Sequence, residues 1–205
     1  YSYATGFKLT GITSTAGNEV YGHDAGGRLT SVTRVGLTRT LEYDSYDHIT
    51  KVIDGGIENV RYTFDGMGRR ISADDGTGVK RFLTAPNHGD GYESPQAVTD
   101  ASGNVLATFI YAGEHPIARI TPTGVEYFLA DAMGSVIGMT DAGGSSTASI
   151  KYDSFGNVTD AEGASAAMPS DTQSDFRYHG MVMDGQTNLY HVRARTYDAR
   201  TGRFT

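Results

Sequence analysis

Six histidines, His23, His48, His88, His115, His179 and His191, are the side chains of this 205-residue chain best suited to ligate a metal or move protons near neutral pH. Their spacing argues against a metal site. No two stand at the separation of a helical zinc pair, and no cysteine is present to complete one. Surface and hairpin roles account for them. Asp184 and Asp198 are acids that, if paired, could push each other's pKa apart for acid-base work. Both occupy turn positions, Asp184 ahead of Gly185 and Asp198 ahead of Gly202, where an aspartate caps backbone N–H groups. Asp74-Asp75-Gly76, and Asp171 with Asp175, are too sparse for a calcium loop. Gly143-Gly144-Ser145 and Gly66-Met67-Gly68 lack the remaining glycines of a nucleophile elbow or a dinucleotide loop and read as hairpin tips. Neither a metal nor a cofactor is expected. An aromatic series, Tyr21, Tyr43, Tyr62, Phe64, Tyr127, Tyr152 and Tyr197, could stack against sugars, but its spacing suits cross-strand packing better.

The elements behind these residues follow a repeat. Aligned on aspartate, the segments Tyr21 to Leu29, Leu41 to Ile49, Tyr62 to Arg70, Ala97 to Val105 and Ile150 to Val158 share one pattern, and Phe128 to Val136 is a looser copy. An alternating run containing aromatics leads in, an aspartate opens a turn, a glycine closes it three positions later, and an alternating run leads out. This is a β-hairpin signal. The pairs are Asp24 and Gly27, Asp65 and Gly68, Asp100 and Gly103, Asp131 and Gly134, Asp153 and Gly156, with Asp198 and Gly202 more widely spaced. Aspartate accepts turn N–H groups, and glycine takes the positive φ that a side chain resists. Asp44 departs from the pattern by having Asp47 at the glycine place. Strand alternation predicts that Tyr62 shares a face with Phe64, Leu41 with Tyr43, and Ile150 with Tyr152. On the exit strands Leu29 is expected to share a face with Ser31 and oppose Val32.

Composition agrees with many short strands: 27 glycines, 13 tyrosines, and no tryptophan or cysteine. The fold must therefore hold by packing and backbone ladders, without disulfides. A net charge of −7 argues against a phosphate-tracking surface, so nucleic acid is not an expected partner. No apolar run is long enough for a membrane helix, and the first residues lack the features of an export signal. The chain starts without methionine and is expected to be a piece of a longer polypeptide.

Tyr-Asp followed by Gly-Arg or Gly-Asn at this register resembles the YD repeat of Rhs proteins, teneurins and Tc-toxin C components, over nearly the whole chain. The stretch from Phe176 to Phe204, containing Gly185-Gln186-Thr187-Asn188-Leu189-Tyr190 and Arg193-Ala194-Arg195-Thr196-Tyr197-Asp198, resembles the bacterial Rhs-associated core signature. Thr196 stands where that signature usually has Tyr, and Ala199 where it has Pro. Ala130 to Val136 is similar to the family's Asp-Ala-Leu-Gly-Ser-Val block.

The resemblance implies an all-β fold of consecutive antiparallel hairpins, forming a sheet that spirals into part of a hollow cocoon. Residues 1–175 would form the YD-repeat sheet, with loops near 85–95 and 160–175 and a short helix around 161–168. Residues 176–205 would open the core segment. The expected role is a non-catalytic wall enclosing a C-terminal toxin within the same polypeptide, secreted or displayed by a bacterium, with secretion-apparatus proteins as further partners. Two other readings stand beside it. One is an exposed tyrosine-rich adhesion or fibre module binding glycans or itself; the other is a truncated aspartyl autoprotease, in which Arg195 would be the helper arginine and the aspartates would lie past Thr205.

Overall fold

In the computed structural model of the chain, residues 1–15, 17–86, 93–163, 174–192 and 195–205 are described. Twenty-one strands are found among them. The first sixteen are β1 (Ser2–Ala4), β2 (Lys8–Ser14), β3 (Gly17–His23), β4 (Leu29–Arg34), β5 (Leu37–Tyr43), β6 (Ile49–Asp54), β7 (Ile57–Phe64), β8 (Arg70–Asp74), β9 (Val79–Pro86), β10 (Glu93–Thr99), β11 (Val105–Ala112), β12 (His115–Thr121), β13 (Gly124–Ala130), β14 (Val136–Asp141), β15 (Ser146–Tyr152) and β16 (Val158–Gly163). They form one sheet in which each strand pairs with the next in sequence. A second sheet, also in sequence order, holds β17 (Ser174–Phe176), β18 (Val182–Asp184), β19 (Tyr190–Val192), β20 (Arg195–Asp198) and β21 (Arg203–Phe204). Every recorded pairing is antiparallel, so the fold is the expected meander of hairpins.

The expected loops are narrower than 85–95 and 160–175. Residues 85 and 86 continue β9, 93 to 95 open β10, 160 to 163 belong to β16, and 174 and 175 to β17. The remainder of both stretches lies outside the described residues. The short helix expected around 161–168 is not formed at 161 to 163, which are extended in β16; its other residues also lie outside the described set.

Two kinds of turn recur among the described hairpins. At Asp65, the Oδ1 oxygen accepts the N–H groups of Met67 at 2.9 Å and Arg69 at 3.0 Å, while the Asp65 carbonyl accepts the Gly68 N–H at 3.0 Å. Gly68 has φ +78°. The same backbone pattern recurs at Asp24, Asp100, Asp131 and Asp153, and at Asp44 with Asp47 held at φ +69°. Asp141 adds another, with Gly144 at φ +83°; the sequence marks its tip but not its aspartate. The second kind is a two-residue turn with positive φ at both central positions: Val35 (+44°) with Gly36 (+82°), and Gly55 (+60°) with Gly56 (+85°). That geometry matches the right-handed twist of the strands it joins.

Beside most aspartate turns the exit strand carries one extra residue. Tyr21 faces Val32 while His23 faces Leu29; Leu41 faces Val52 while Tyr43 faces Ile49; Tyr62 faces Ala73 while Phe64 faces Arg70. Two residues on the entry strand oppose three on the exit strand, which is a β-bulge. The expectation that Leu29 shares a face with Ser31 and opposes Val32 is therefore corrected. The bulge brings Leu29 and Val32 to the same side, and both join one apolar cluster with Leu9 and Tyr21.

The long sheet must curve. Fourteen interstrand steps separate β1 from β15, which would span roughly 70 Å if the sheet were flat. Yet two paired strands of the second sheet reach both regions: Arg203 on β21 lies 5.3 Å over the Tyr3 ring of β1, and the Tyr197 hydroxyl on β20 donates to the Phe155 carbonyl, just beyond β15, at 2.8 Å. The sheet thus bends around the second sheet. Phe176, Val182 and Leu189 of the C-terminal region belong to the same buried cluster as residues from β5 through β15.

Candidate functional site

The inner face, where the two sheets meet, holds the side chains with most chemical character. The position five residues after a turn aspartate carries Leu29, Ile49, Val105, Val136 or Val158, after Asp141 it carries Ser146, and after Asp65 it carries Arg70. The bulge turns this arginine inward, where only 6 % of its surface is accessible. Its guanidinium lies 4.5 Å over the Phe82 ring and 5.2 Å over the Tyr62 ring. From the second sheet, Asp184 on β18 places Oδ2 3.8 Å from Arg70 Nη1. Asp184 is itself pinned, because its Oδ1 accepts the N–H of Gln186 at 3.0 Å and of Thr187 at 3.1 Å. The Tyr62 hydroxyl stands 3.5 Å from Thr187 Oγ1. Burial, more than the nearby Asp184 charge, pushes the Tyr62 phenol well above its ordinary pKa.

His191 on β19 joins this group. Burial first, then the Arg70 and His48 charges, pushes its imidazole well below the usual histidine range. Protein surrounds it, yet part of its surface stays accessible, because it lines a cavity between the sheets of about 350 Å³. Arg70, Phe82, Pro95, Phe176 and Val182 line the same cavity.

Further polar contacts fasten the second sheet to the first. Arg39 grips Asp54 with two 2.7 Å bonds and donates to the Thr187 carbonyl at 2.6 Å. Arg200 Nη2 lies 2.7 Å from Glu19, and Arg34 Nη2 lies 3.7 Å from Asp198. The Tyr190 hydroxyl donates to the Gly156 carbonyl at 2.8 Å, and Asn157 Nδ2 to the Ala199 carbonyl at 3.0 Å.

Arg195 opens β20, exposed, with its guanidinium 4.0 Å over the Phe204 ring. Asp184 and Asp198 each pair with an arginine of the long sheet and each accept turn N–H groups, Asp198 from Arg200 at 3.0 Å. Gly202 takes φ +65° beside Phe155. Among the described residues no three acids or histidines gather as metal ligands; His88 lies outside those residues. Of the aromatic series, Tyr21 and Tyr62 are buried, while Tyr43, Phe64 and Tyr152 pack against the inner cluster and Tyr127 is exposed. Sequence reasoning missed Arg70. Its signal was an arginine standing where the other repeats have an aliphatic residue.

No helix among the described residues is long and apolar enough to cross a membrane. The Teneurin YD-shell family description matches residues 7–205. The tRNA3(Ser)-specific nuclease WapA of Bacillus spizizenii is 29 % identical over 205 residues, covering 97 % of this chain and 7 % of the relative. Human Teneurin-4 is 27 % identical over 176 residues, covering 80 % of this chain and 6 % of the relative. The chain thus spans less than a tenth of the length of these curated relatives. Among solved structures, the Photorhabdus luminescens Tc holotoxin pore matches with a TM-score of 0.57 at 14 % identity, over 91 % of this chain and 12 % of that one. The TcdB2-TccC3 crystal structure matches with a TM-score of 0.56 at 13 % identity, over 92 % of this chain and 12 % of that one. These two likenesses concern the fold alone. With the match running from Phe7 to the last residue, the chain belongs to the Teneurin YD-shell family.

Proposed function

We propose that this chain is a wall segment of an Rhs-type shell, enclosing a C-terminal toxin or effector of the same parent polypeptide for delivery to another cell. The observation that carries this reading is the curl: a sixteen-strand ribbon whose first strand and last hairpin touch neighbouring strands of one small sheet has a distinct inside and outside. The curated relatives named as nucleases are far longer than this chain, which leaves room for such an activity elsewhere in a parent polypeptide. On this reading the segment does no chemistry of its own. Its partner is intramolecular, secretion-apparatus proteins are transient contacts, and its place of action is outside a bacterial producer.

Limited proteolysis of the parent polypeptide tests the proposal. The part C-terminal to this segment should survive protease doses that digest the same part expressed alone; equal rates of cutting would overturn the shell reading. Arg195 as helper of self-cleavage belongs to the alternative reading, a truncated aspartyl autoprotease core. In a parent that cleaves itself, Arg195→Ala should slow cleavage by two or more orders of magnitude, as loss of one charge-stabilising donor does, while normal cleavage would leave Arg195 as a partner of Phe204 only.

A further inference from the structure

We propose that the cavity between the two sheets binds a small organic carboxylate, with the Arg70 guanidinium holding its carboxylate and Phe82, Phe176 and Val182 receiving its apolar body. This inference does not depend on the shell reading. Three observations converge on it.

The first is the state of Arg70. A guanidinium carries five N–H donors and cannot lose its charge. The Arg70 side chain is only 5 % exposed, yet no protein group hydrogen-bonds to it among the described residues. Its charged neighbour Asp184 stops at 3.8 Å, beyond hydrogen-bond length, and its remaining contacts are the faces of two rings. Arg70 lines the cavity, so donors that no described protein acceptor occupies are open to an anion there. A guanidinium without a described protein hydrogen-bond acceptor matches a carboxylate in a two-pronged pair.

The second is position. The corresponding places after Asp24, Asp44, Asp100, Asp131 and Asp153 carry aliphatic residues and the one after Asp141 carries Ser146, so the hairpin itself does not require a cation at this one. The third is the cavity, which Arg70 lines. At about 350 Å³ it falls at the small end of ligand sites, and its wall is mixed, with Phe82, Phe176 and Val182 among its apolar side chains and Arg70, Glu114, His179 and His191 among its polar ones. Inorganic phosphate would satisfy the arginine but leave the apolar wall uncovered. An uncharged molecule would cover the wall and leave the arginine unsatisfied.

Calorimetric titration of the 205-residue chain with 4-phenylbutyrate, 4-phenyl-1-butanol and inorganic phosphate separates these cases. Phenylbutyrate should bind saturably with a Kd on the order of 1 mM, as expected for a ligand of this size, and the other two at least about tenfold more weakly. No saturation by phenylbutyrate up to about 20 mM, or equal binding of the alcohol or of phosphate, would overturn the proposal. The Arg70→Leu/Asp184→Asn double variant restores the aliphatic residue of the other repeats and removes the stranded acid, and it should abolish binding; retained binding would overturn the proposal too. If that variant does not fold, Arg70→Lys decides. It keeps the charge but loses the two-pronged geometry, so affinity should fall about tenfold, and unchanged affinity would count against the site.

Discussion

The tyrosine ahead of a turn aspartate reaches back across the sheet to the preceding hairpin. The Tyr43 hydroxyl donates to the Leu29 carbonyl at 2.6 Å, and the Tyr152 hydroxyl donates to the Val136 carbonyl at 2.6 Å. Both acceptors sit five residues after a turn aspartate, at the bulge, where the regular ladder is interrupted. The tyrosine therefore supplies a hydrogen bond that the bulge removes. Burial raises the Tyr43 phenol to about pKa 12, which keeps it protonated and donating. Tyr43→Phe should cost about 1 kcal/mol in urea unfolding, the usual net worth of such a bond; an unchanged midpoint would show that the carbonyl finds water instead. The buried His191 has a consequence in acid. Its pKa is depressed in the folded chain, so its contribution to stability is complete above about pH 6.5, the ordinary histidine value, and is lost as pH falls below it. The groups around it are Arg70 on β8, His48 in the turn before β6, and Asp184 on β18, the first two adding positive charge. His191→Gln should therefore lose less stability between pH 7 and 5 than the unaltered chain; parallel losses would place the acid sensitivity elsewhere. At this scale the sequence was legible wherever bonding is local. The Asp65 and Gly68 turn closes within five residues, whereas Arg70 pairs with a residue 114 positions later, Asp184, which no short-range pattern announces.

Among the elements, the two turn types differ in strain. Val35 sits at φ +44°, a conformation that a β-branched residue resists, and its side chain is 85 % exposed, so packing offers little return. Val35→Asn should raise stability by about 1 kcal/mol, the cost commonly attached to left-handed backbone; a destabilised variant would mean that Val35 packing against Gly17 matters more than the backbone. The opposite case is Gly156, at φ +93° with Tyr178 Cδ1 2.5 Å from where a Cβ would stand. Gly156→Ala would push Tyr178 away and lift the second sheet from this hairpin, so loss of the Tyr178 bond to the Ser154 carbonyl should appear with reduced melting temperature. Phe176 shows how the second sheet is held, with its ring edge-on to Phe109 at 4.9 Å, Tyr111 at 5.9 Å and Phe128 at 6.1 Å. Phe176→Ala should cost about 3–5 kcal/mol. Strands and turns were readable because alternation and Asp-Gly spacing are local signals. The bulges were not, since one extra residue inverts the face assigned to its neighbours in the strand; this is why Leu29 and Val32 were expected on opposite sides.

At the scale of the molecule, the order of strands follows the sequence without exception, so topology was legible once the repeat was seen. The curl was not written in any single hairpin. It accumulates over sixteen strands through bulges and twist, and it is fixed by contacts such as Arg200 to Glu19, 181 residues apart. Resemblance supplied the cocoon where periodicity alone gave a ribbon. The central claim is that the ribbon closes on its own C-terminal sheet, bringing Tyr3 beside Arg203. Because the chain has no cysteine, spin labels can be attached uniquely at cysteines placed at positions 3 and 203, and their separation measured by pulsed dipolar spectroscopy. The curled wall predicts a single short distance, below about 25 Å, whereas a distribution extending toward roughly 70 Å, the flat-ribbon span, would contradict it.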